Sequence, residues 1–412
     1  MPQIDQYLEF MVKKGCSDLH LSSGQPMYVR LNGTLTPVTK PLQPAVAEKL
    51  IREILPERNL QEFEETNDTD FAYHLEGLAR FRVNIYRDRF GMGGAFRQIP
   101  ERIMTVEQLG VPQSVVEFAS LSRGLVLVTG PTGCGKTTTL ATLLDHINQQ
   151  RDEHIVTIED PIEYVHQSKK SLIHQREVFT HTQSFPRALR AALREDPDVV
   201  LVGEMRDLET MSIAIQTAET GHLVFATMHT TSAASSVDRL IDQFPAEEQE
   251  HVRQMVSNSL KGVVTQTLLR RSDGKGRIAA MEVLVVTSAI SNLIREGKTY
   301  QIPSQMEVGR RYGMQNLNQN LIELVRAGVV DVEEAMLKAV DKSGFRNLLS
   351  ERGIYLPGSA EYTGTRDEES AAPSWAAAKP TSDDEAAARR VSAQKQAEED
   401  LALSALYESE NK

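Results

Sequence analysis

The residues GPTGCGKT (130–137) fit the pattern GxxxxGK[ST], and the stretches on either side make the fit structural rather than accidental. Before them runs LVLVT (125–129), a short apolar strand; after them runs TTTLATLLDHINQQ (137–150), a helix-forming stretch. Gly130, Gly133 and Gly135 let backbone N–H groups turn inward on phosphate oxygens, and the helix N-terminus adds partial positive charge. Pro131, Thr132, Cys134 and Thr138 complete the cradle. In this pattern the lysine, Lys136, reaches the β- and γ-phosphates, and the hydroxyl of Thr137 is placed for Mg²⁺. ATP and Mg²⁺ are therefore the expected ligands. Cys134 lies beside the helix N-terminus and two residues from an ammonium, which predicts a thiol pKa below the ordinary value.

Further apolar runs follow at IVTI (155–158), DVVLV (198–202) and LVFATM (223–228). Runs of this kind belong to strands covered on both faces of a parallel sheet. RDLETMSIAIQTAETG (206–221) puts Leu208, Met211, Ile215 and Ala218 on one helical stripe, with Gly221 as a stop. Carboxylates cluster at the strand ends. Glu204 closes VVLVGE and is placed for Mg²⁺ or its water shell. Glu159, Asp160 and Glu163 surround Pro161 in TIEDPIEY (157–164). Three carboxylates at one strand end repel unless a cation is near. Glu163 is the expected orienter of the attacking water, with Glu159 its rival. SFPRALRAALRED (184–196) predicts a helix capped by Ser184, with Phe185, Leu189 and Leu193 inward and Arg187, Arg190 and Arg194 outward. Three like charges on one face call for anions opposite.

The chain has 412 residues, enough for two or three domains. Residues 1–100 mix strand and helix signals, which predicts an α+β domain of mixed sheet. Within it, Asn32-Gly33 is a hairpin cue, VAEKLIREIL (46–55) a helix, and 79–100 two strands around a glycine-rich turn. Residues 101–120 are expected as a linker, 121–287 as an α/β core and 288–356 as a helical subdomain. The tail 357–412 is weakly apolar and is expected to be disordered. Its residues 359–412 carry 12 acidic and 6 basic side chains, half of the whole net charge of −12. That acidic balance disfavours non-specific nucleic-acid binding, and LLRRSDGKGR (268–277) suits a solvated hairpin better than a nucleic-acid loop. Two distant cysteines make no disulfide framework, and the N-terminus lacks a signal-peptide pattern.

Taken together, SDLHLSSGQP (17–26), the P-loop, TIEDPIEY, LVGEMRDLET and TGHLVFATMHTTSA resemble the type II/type IV secretion ATPases. LIREGKTYQIPSQMEVGRRYGMQNLNQNL (293–321) narrows the resemblance to the type IV pilus retraction ATPases, the PilT/PilU family. The resemblance implies a PAS-like N-terminal domain, a RecA-like core and a homohexamer with nucleotide between subunits. It implies that Arg82, Arg97, Arg190 and Arg194 surround the nucleotide. It also implies that His229 senses the γ-phosphate and His222 supports the same region. A cytoplasmic location is implied, peripheral at the inner membrane through a pilus platform protein, with a paralogous retraction ATPase as partner and no nucleic acid. Ser291 stands where family members commonly carry arginine. With the acidic tail, it tilts the expectation towards the accessory, PilU-like branch. The rival readings are a nucleic-acid-translocating ring and an ATP-binding ring partner with little turnover of its own.

Overall fold

The computed structural model describes residues 2–31, 34–99, 102–274 and 276–354. The chain divides into two compact units, with the boundary after Ile99. The expectations for Asn32-Gly33 and for the tail 357–412 fall outside the described residues.

The first unit runs α1 (Asp5–Lys13), β1 (Asp18–Ser22), β2 (Tyr28–Leu31), β3 (Thr34–Pro37), α2 (Pro44–Arg52), α3 (Glu57–Thr66), β4 (Asp68–Leu75), β5 (Ala79–Asp88) and β6 (Gly91–Ile99). Its sheet has the order β3-β2-β1-β6-β5-β4. Every pairing is antiparallel, so the expected mixed sheet is corrected. The reason is connectivity: short connections join β1 to β2, β4 to β5 and β5 to β6, and such connections return a strand antiparallel. β5 shows how alternation makes the core. Phe81, Val83 and Ile85 are fully buried, while Arg82 between them faces outward. Each such side chain contributes roughly 1.5–3 kcal/mol of burial.

The second unit begins with two short helices, α4 (Val106–Leu109) and α5 (Gln113–Glu117). Residues 101–120 are therefore not a plain linker. Val115, Phe118 and Ala119 join a core that also holds Val126, Val128, Leu143 and Leu144. The ring of Phe118 fills the space a side chain on Gly262 would need; a Cβ there would lie 2.1 Å from the ring.

The sheet that follows contains β7 (Gly124–Thr129), β8 (His154–Glu159), β9 (Leu172–Glu177), β10 (Val199–Val202), β11 (Leu223–Met228), β12 (Leu260–Arg270) and β13 (Arg277–Val285), in the order β13-β12-β7-β11-β10-β8-β9. All neighbours are parallel except β12 and β13. The helices are α6 (Lys136–Gln150), α7 (Phe185–Ala192), α8 (Leu208–Glu219), α9 (Ala233–Asp242) and α10 (Gln249–Ser259). Every residue of β7 and β11 is buried. Val126 and Val128 face α6, whereas Leu125 and Leu127 face a core shared with α8 and α9. Parallel strands thus end together, and the turns that follow them gather at one edge, where α/β proteins bind ligands.

Residues 288–354 are helical as expected: α11 (Ser288–Arg295), α12 (Ile302–Val308), α13 (Leu317–Arg326), α14 (Val332–Lys338) and α15 (Lys342–Glu351). Leu317, Leu321 and Phe345 pack with Leu269 and Ala280 of the β12–β13 hairpin. That hairpin closes at Arg270 opposite Arg277, and residues 268–277 contain no aromatic side chain to stack a base. No helix among the described residues is long and apolar enough to cross a membrane.

Phe118→Ala is expected to destabilise the second unit by about 3–4 kcal/mol, a core-sized loss. Urea unfolding followed on that unit measures it; a loss below 1 kcal/mol would return residues 101–120 to the status of a linker.

Candidate functional site

The P-loop leaves β7 at Thr129 and enters α6 at Lys136. Gly130 has φ +139°, and a Cβ on it would lie 2.3 Å from the Gln266 carbonyl oxygen and 2.6 Å from Cys134 Sγ. No larger residue fits. Gln266, buried on β12, pins the loop from the side. Its Nε2 donates to the Cys134 carbonyl (2.7 Å), and its Oε1 accepts from Thr139 Oγ1 (2.9 Å). Below it the hydroxyls of Thr129 and Thr265 meet at 2.8 Å. Sequence reasoning missed Gln266. The available signal was a polar residue inside the apolar run VVTQTLL.

Lys136 is 9% exposed. Its ammonium donates to the carbonyls of Gly130 (2.9 Å) and Pro131 (3.3 Å) and stands 3.4 Å from His229 Nδ1. His229 follows β11 directly, and its Nε2 lies 2.9 Å from Glu204 Oε1. The same oxygen takes Arg206 Nε at 2.7 Å. An ammonium can only donate, and a carboxylate can only accept. For both contacts to be hydrogen bonds, Nδ1 accepts from Lys136 and Nε2–H donates to Glu204. Burial raises the Glu204 carboxyl, but the hydrogen bond and charge of Arg206, with His229 and Lys136 beyond, outweigh it and hold the group below the usual range. Three strand ends, those of β7, β11 and β10, are joined by this line of charge. Thr137 stands half-exposed in the first turn of α6.

The acidic turn behaves differently. Glu159 is 6% exposed, and burial pushes its carboxyl up to about 7 against hydrogen bonds from Thr157, Gln175 and the Glu163 backbone. Thr157 Oγ1 donates to it at 2.7 Å and Gln175 Nε2 at 3.1 Å. Glu159 is thus a closed-in group, whereas the side chain of Glu163 is half-exposed and has no hydrogen-bond or ion-pair partner among the described residues. Of the two rivals, Glu163 has the free carboxylate.

A Lys–His–Glu line at the mouth of a P-loop and an acidic turn beside it set the context for the comparisons. The family profile described as "Type II/IV secretion system protein" matches residues 1–337. The chain belongs to that family. It is 50% identical over 337 residues to the type IV pilus retraction ATPase PilT of Pseudomonas aeruginosa, spanning 82% of this chain and 98% of that one. It is 38% identical over 348 residues to the type IV pilus ATPase PilU of the same organism, spanning 84% and 91%. A crystal structure of the pilus retraction motor PilT with bound ADP superposes with a TM-score of 0.76 at 44% identity, covering 82% of this chain and 96% of that one.

Several other residues expected at the site are engaged within their own unit. His222 precedes β11, and the carbonyl of His222 accepts from Gly124, the first residue of β7. It lies at the opposite end of a six-residue strand from His229, roughly 20 Å away. Its Nδ1 donates to the Thr217 carbonyl (3.1 Å) at the end of α8. Within the chain, His222 thus sits at the end of α8, at the far end of β11 from the P-loop. α7 ends at Ala192, so Leu193 and Arg194 lie beyond it and are exposed; the buried stripe is Ala188, Leu189 and Ala192. Arg190 pairs with Glu209, and Arg187 with Gln183. Arg82 and Arg97 belong to the first unit, directly opposite each other on β5 and β6. Asp18, held below the usual range mainly by Ser17 and Arg97 against burial, takes Arg97 Nε at 2.8 Å.

The thiol of Cys134 is the clearest reversal. The residue is 3% exposed, and burial pushes the pKa up, more than Lys136 and the loop amides pull it down. Brief maleimide treatment of nucleotide-free protein at pH 7 is expected to leave Cys134 unmodified by mass spectrometry; rapid labelling would restore the thiolate reading. Glu159 sets a pH dependence. Its carboxyl binds a proton more tightly folded than unfolded, so its contribution to stability is full below about pH 4.5 and is lost as pH rises through about 7. Glu159→Gln should therefore gain stability relative to wild type between pH 5 and 8, by at most ~3 kcal/mol. Melting curves across that range test it, and a pH-independent difference would refute it.

Proposed function

We propose that this protein hydrolyses ATP to drive type IV pilus retraction, as a ring of six copies with nucleotide between neighbours. The observation that carries the reading is the buried Lys136 ammonium. It is turned onto the P-loop's own carbonyls, beside a glycine whose missing Cβ keeps the cradle open. A polyphosphate supplies those donors with better acceptors. The donor set also suits Mg²⁺, which takes one or two protein oxygens together with substrate phosphates and water. Thr137 and Glu204 would hold it, and the ion would neutralise charge on the transferred phosphate. Among the described residues no cage of three or more His, Cys, Asp or Glu side chains competes for that role.

The chain's own residues then divide the work. Lys136 binds the β/γ end of the nucleotide. Glu163 orients the attacking water with its free carboxylate. His229 keeps its Nε2 proton and turns that N–H from the Glu204 carboxylate to a γ-phosphate oxygen, so the strand end of β11 feels whether that phosphate is present. Arg82 and Arg97 act from the first unit, and Arg190 and Arg194 from the second, as cations around the nucleotide in the assembled ring. Action on a pilus is supported by the likeness to PilT and PilU; attachment to the inner membrane through a platform protein and partnership with a paralogous ATPase belong to the same proposal.

The greater identity to PilT, over nearly all of that protein, favours a motor in its own right over the accessory role suggested by Ser291 and the tail. Lys136→Ala is expected to abolish hydrolysis, and Glu163→Gln to bind ATP while turning over about 10²-fold more slowly or worse. A phosphate-release assay measures both. In cells lacking every other retraction ATPase, the wild-type protein should restore pilus retraction and Lys136→Ala should not. Restoration only in the presence of a paralogue would assign the accessory role instead.

A further inference from the structure

The turn that carries Glu163 is held nearly atom by atom by side chains from the strands on either side of it. The Ile162 N–H donates to Glu177 Oε2 (3.0 Å). The Glu163 backbone pulls down the pKa of the Glu159 carboxyl. The Tyr164 carbonyl accepts from Gln175 Nε2 (2.8 Å), and the His166 N–H donates to Gln175 Oε1 (2.7 Å). Gln175 Nε2 also donates to Glu159 Oε1 (3.1 Å). Both polar ends of this one amide on β9 are thus spent on the turn and on its buried carboxylate. An amide satisfied in this way fixes its partners rigidly.

The turn is also tied to the nucleotide loop. The Tyr164 ring is 8% exposed, and its hydroxyl meets Thr138 Oγ1 at 3.0 Å in the first turn of α6. Thr138 is two residues past the lysine. A continuous polar path therefore runs from Glu159 through Gln175 to the Tyr164 backbone, and through the Tyr164 ring to the helix that follows the P-loop. Amid these held neighbours, the half-exposed Glu163 carboxylate has no hydrogen-bond or ion-pair partner among the described residues.

We propose that Gln175 is a positioning residue for Glu163, and that Tyr164 ties the turn so positioned to the P-loop helix. The proposal rests on the reading of Glu163 as the water-orienting carboxylate. Neither Gln175 nor Tyr164 touches reacting atoms. Their effect is to fix the distance between a carboxylate on one strand end and phosphates held on another. Displacing a reacting group by about 1 Å costs on the order of 10²-fold in rate without a matching loss of binding.

The test compares Gln175→Met and Tyr164→Phe, each alone and combined with Glu163→Gln, in turnover at saturating ATP and in the Kd of a fluorescent ATP analogue. Each single variant is expected to lose about 10- to 100-fold in kcat while the analogue's Kd stays within about twofold. In the Glu163→Gln background neither should cause further loss, because the group they position is already disabled. An equal loss of kcat in both backgrounds would overturn the proposal, as would a Kd that weakens in step with kcat, the mark of a merely structural role. Near wild-type turnover by Glu163→Gln itself would overturn the Glu163 reading first and the positioning role with it. If Gln175→Met fails to fold, Tyr164→Phe removes a single oxygen and carries the same comparisons.

Discussion

A buried ammonium has to be met by lone pairs, and the way Lys136 is met organises the catalytic edge. Leaving such a charge uncompensated costs several kcal/mol. Here the carbonyls of Gly130 and Pro131 take two of its protons and His229 faces the third direction. The imidazole cannot satisfy the lysine and ignore the rest, because its other nitrogen bonds Glu204, which Arg206 also holds. The charge thus links three strand ends where the backbone ladder has run out. Any ligand that draws Lys136 away from its own loop changes what His229 and Glu204 feel.

That line of charge also separates the two histidines that bracket the strand LVFATM. Both end a fully buried strand, and the local sequence treats them alike. Direction along the strand decides between them. β11 runs parallel to β7, so its far end reaches the P-loop and its near end reaches the last turn of α8. His229 gains a lysine and a carboxylate; His222 gains a main-chain carbonyl. A parallel sheet makes this asymmetry general, since only the trailing ends of its strands share an edge.

Four strands of the core, β7, β8, β10 and β11, were legible because burial on both faces leaves near-continuous apolar runs. β9 was not, because LIHQRE puts only Ile173 and Glu177 among buried residues and reads as a polar segment. α3 and β4 escaped for the same reason, with Phe63 the only buried residue in α3. Residues 101–120 look like a linker locally, yet Phe118 is core because Gly262, far along the chain, leaves a hole of its shape. Cys134 needed tertiary information too. The ammonium and the helix end both pull its pKa down, and only the packing against Gly130 and Gln266 reveals that desolvation wins. The motif residues of the P-loop and the strand-end carboxylates were legible individually. What they touch was not, since each contact joins elements distant in sequence.

Two glutamines show what the motifs leave out. Gln266 on β12 holds the P-loop from one side, and Gln175 on β9 holds the acidic turn from the other. Each offers donor and acceptor from one rigid group, as backbone turns require, since a turn exposes both N–H and C=O. A lysine or arginine could satisfy the carbonyls alone and a carboxylate the N–H groups alone. Either would also add a charge to an edge where Lys136, Glu204 and Arg206 already set the field. A neutral amide fixes geometry without altering that field. The site is therefore built in two chemistries. Charged groups face the ligand, and uncharged amides one strand away hold the loops that carry those groups.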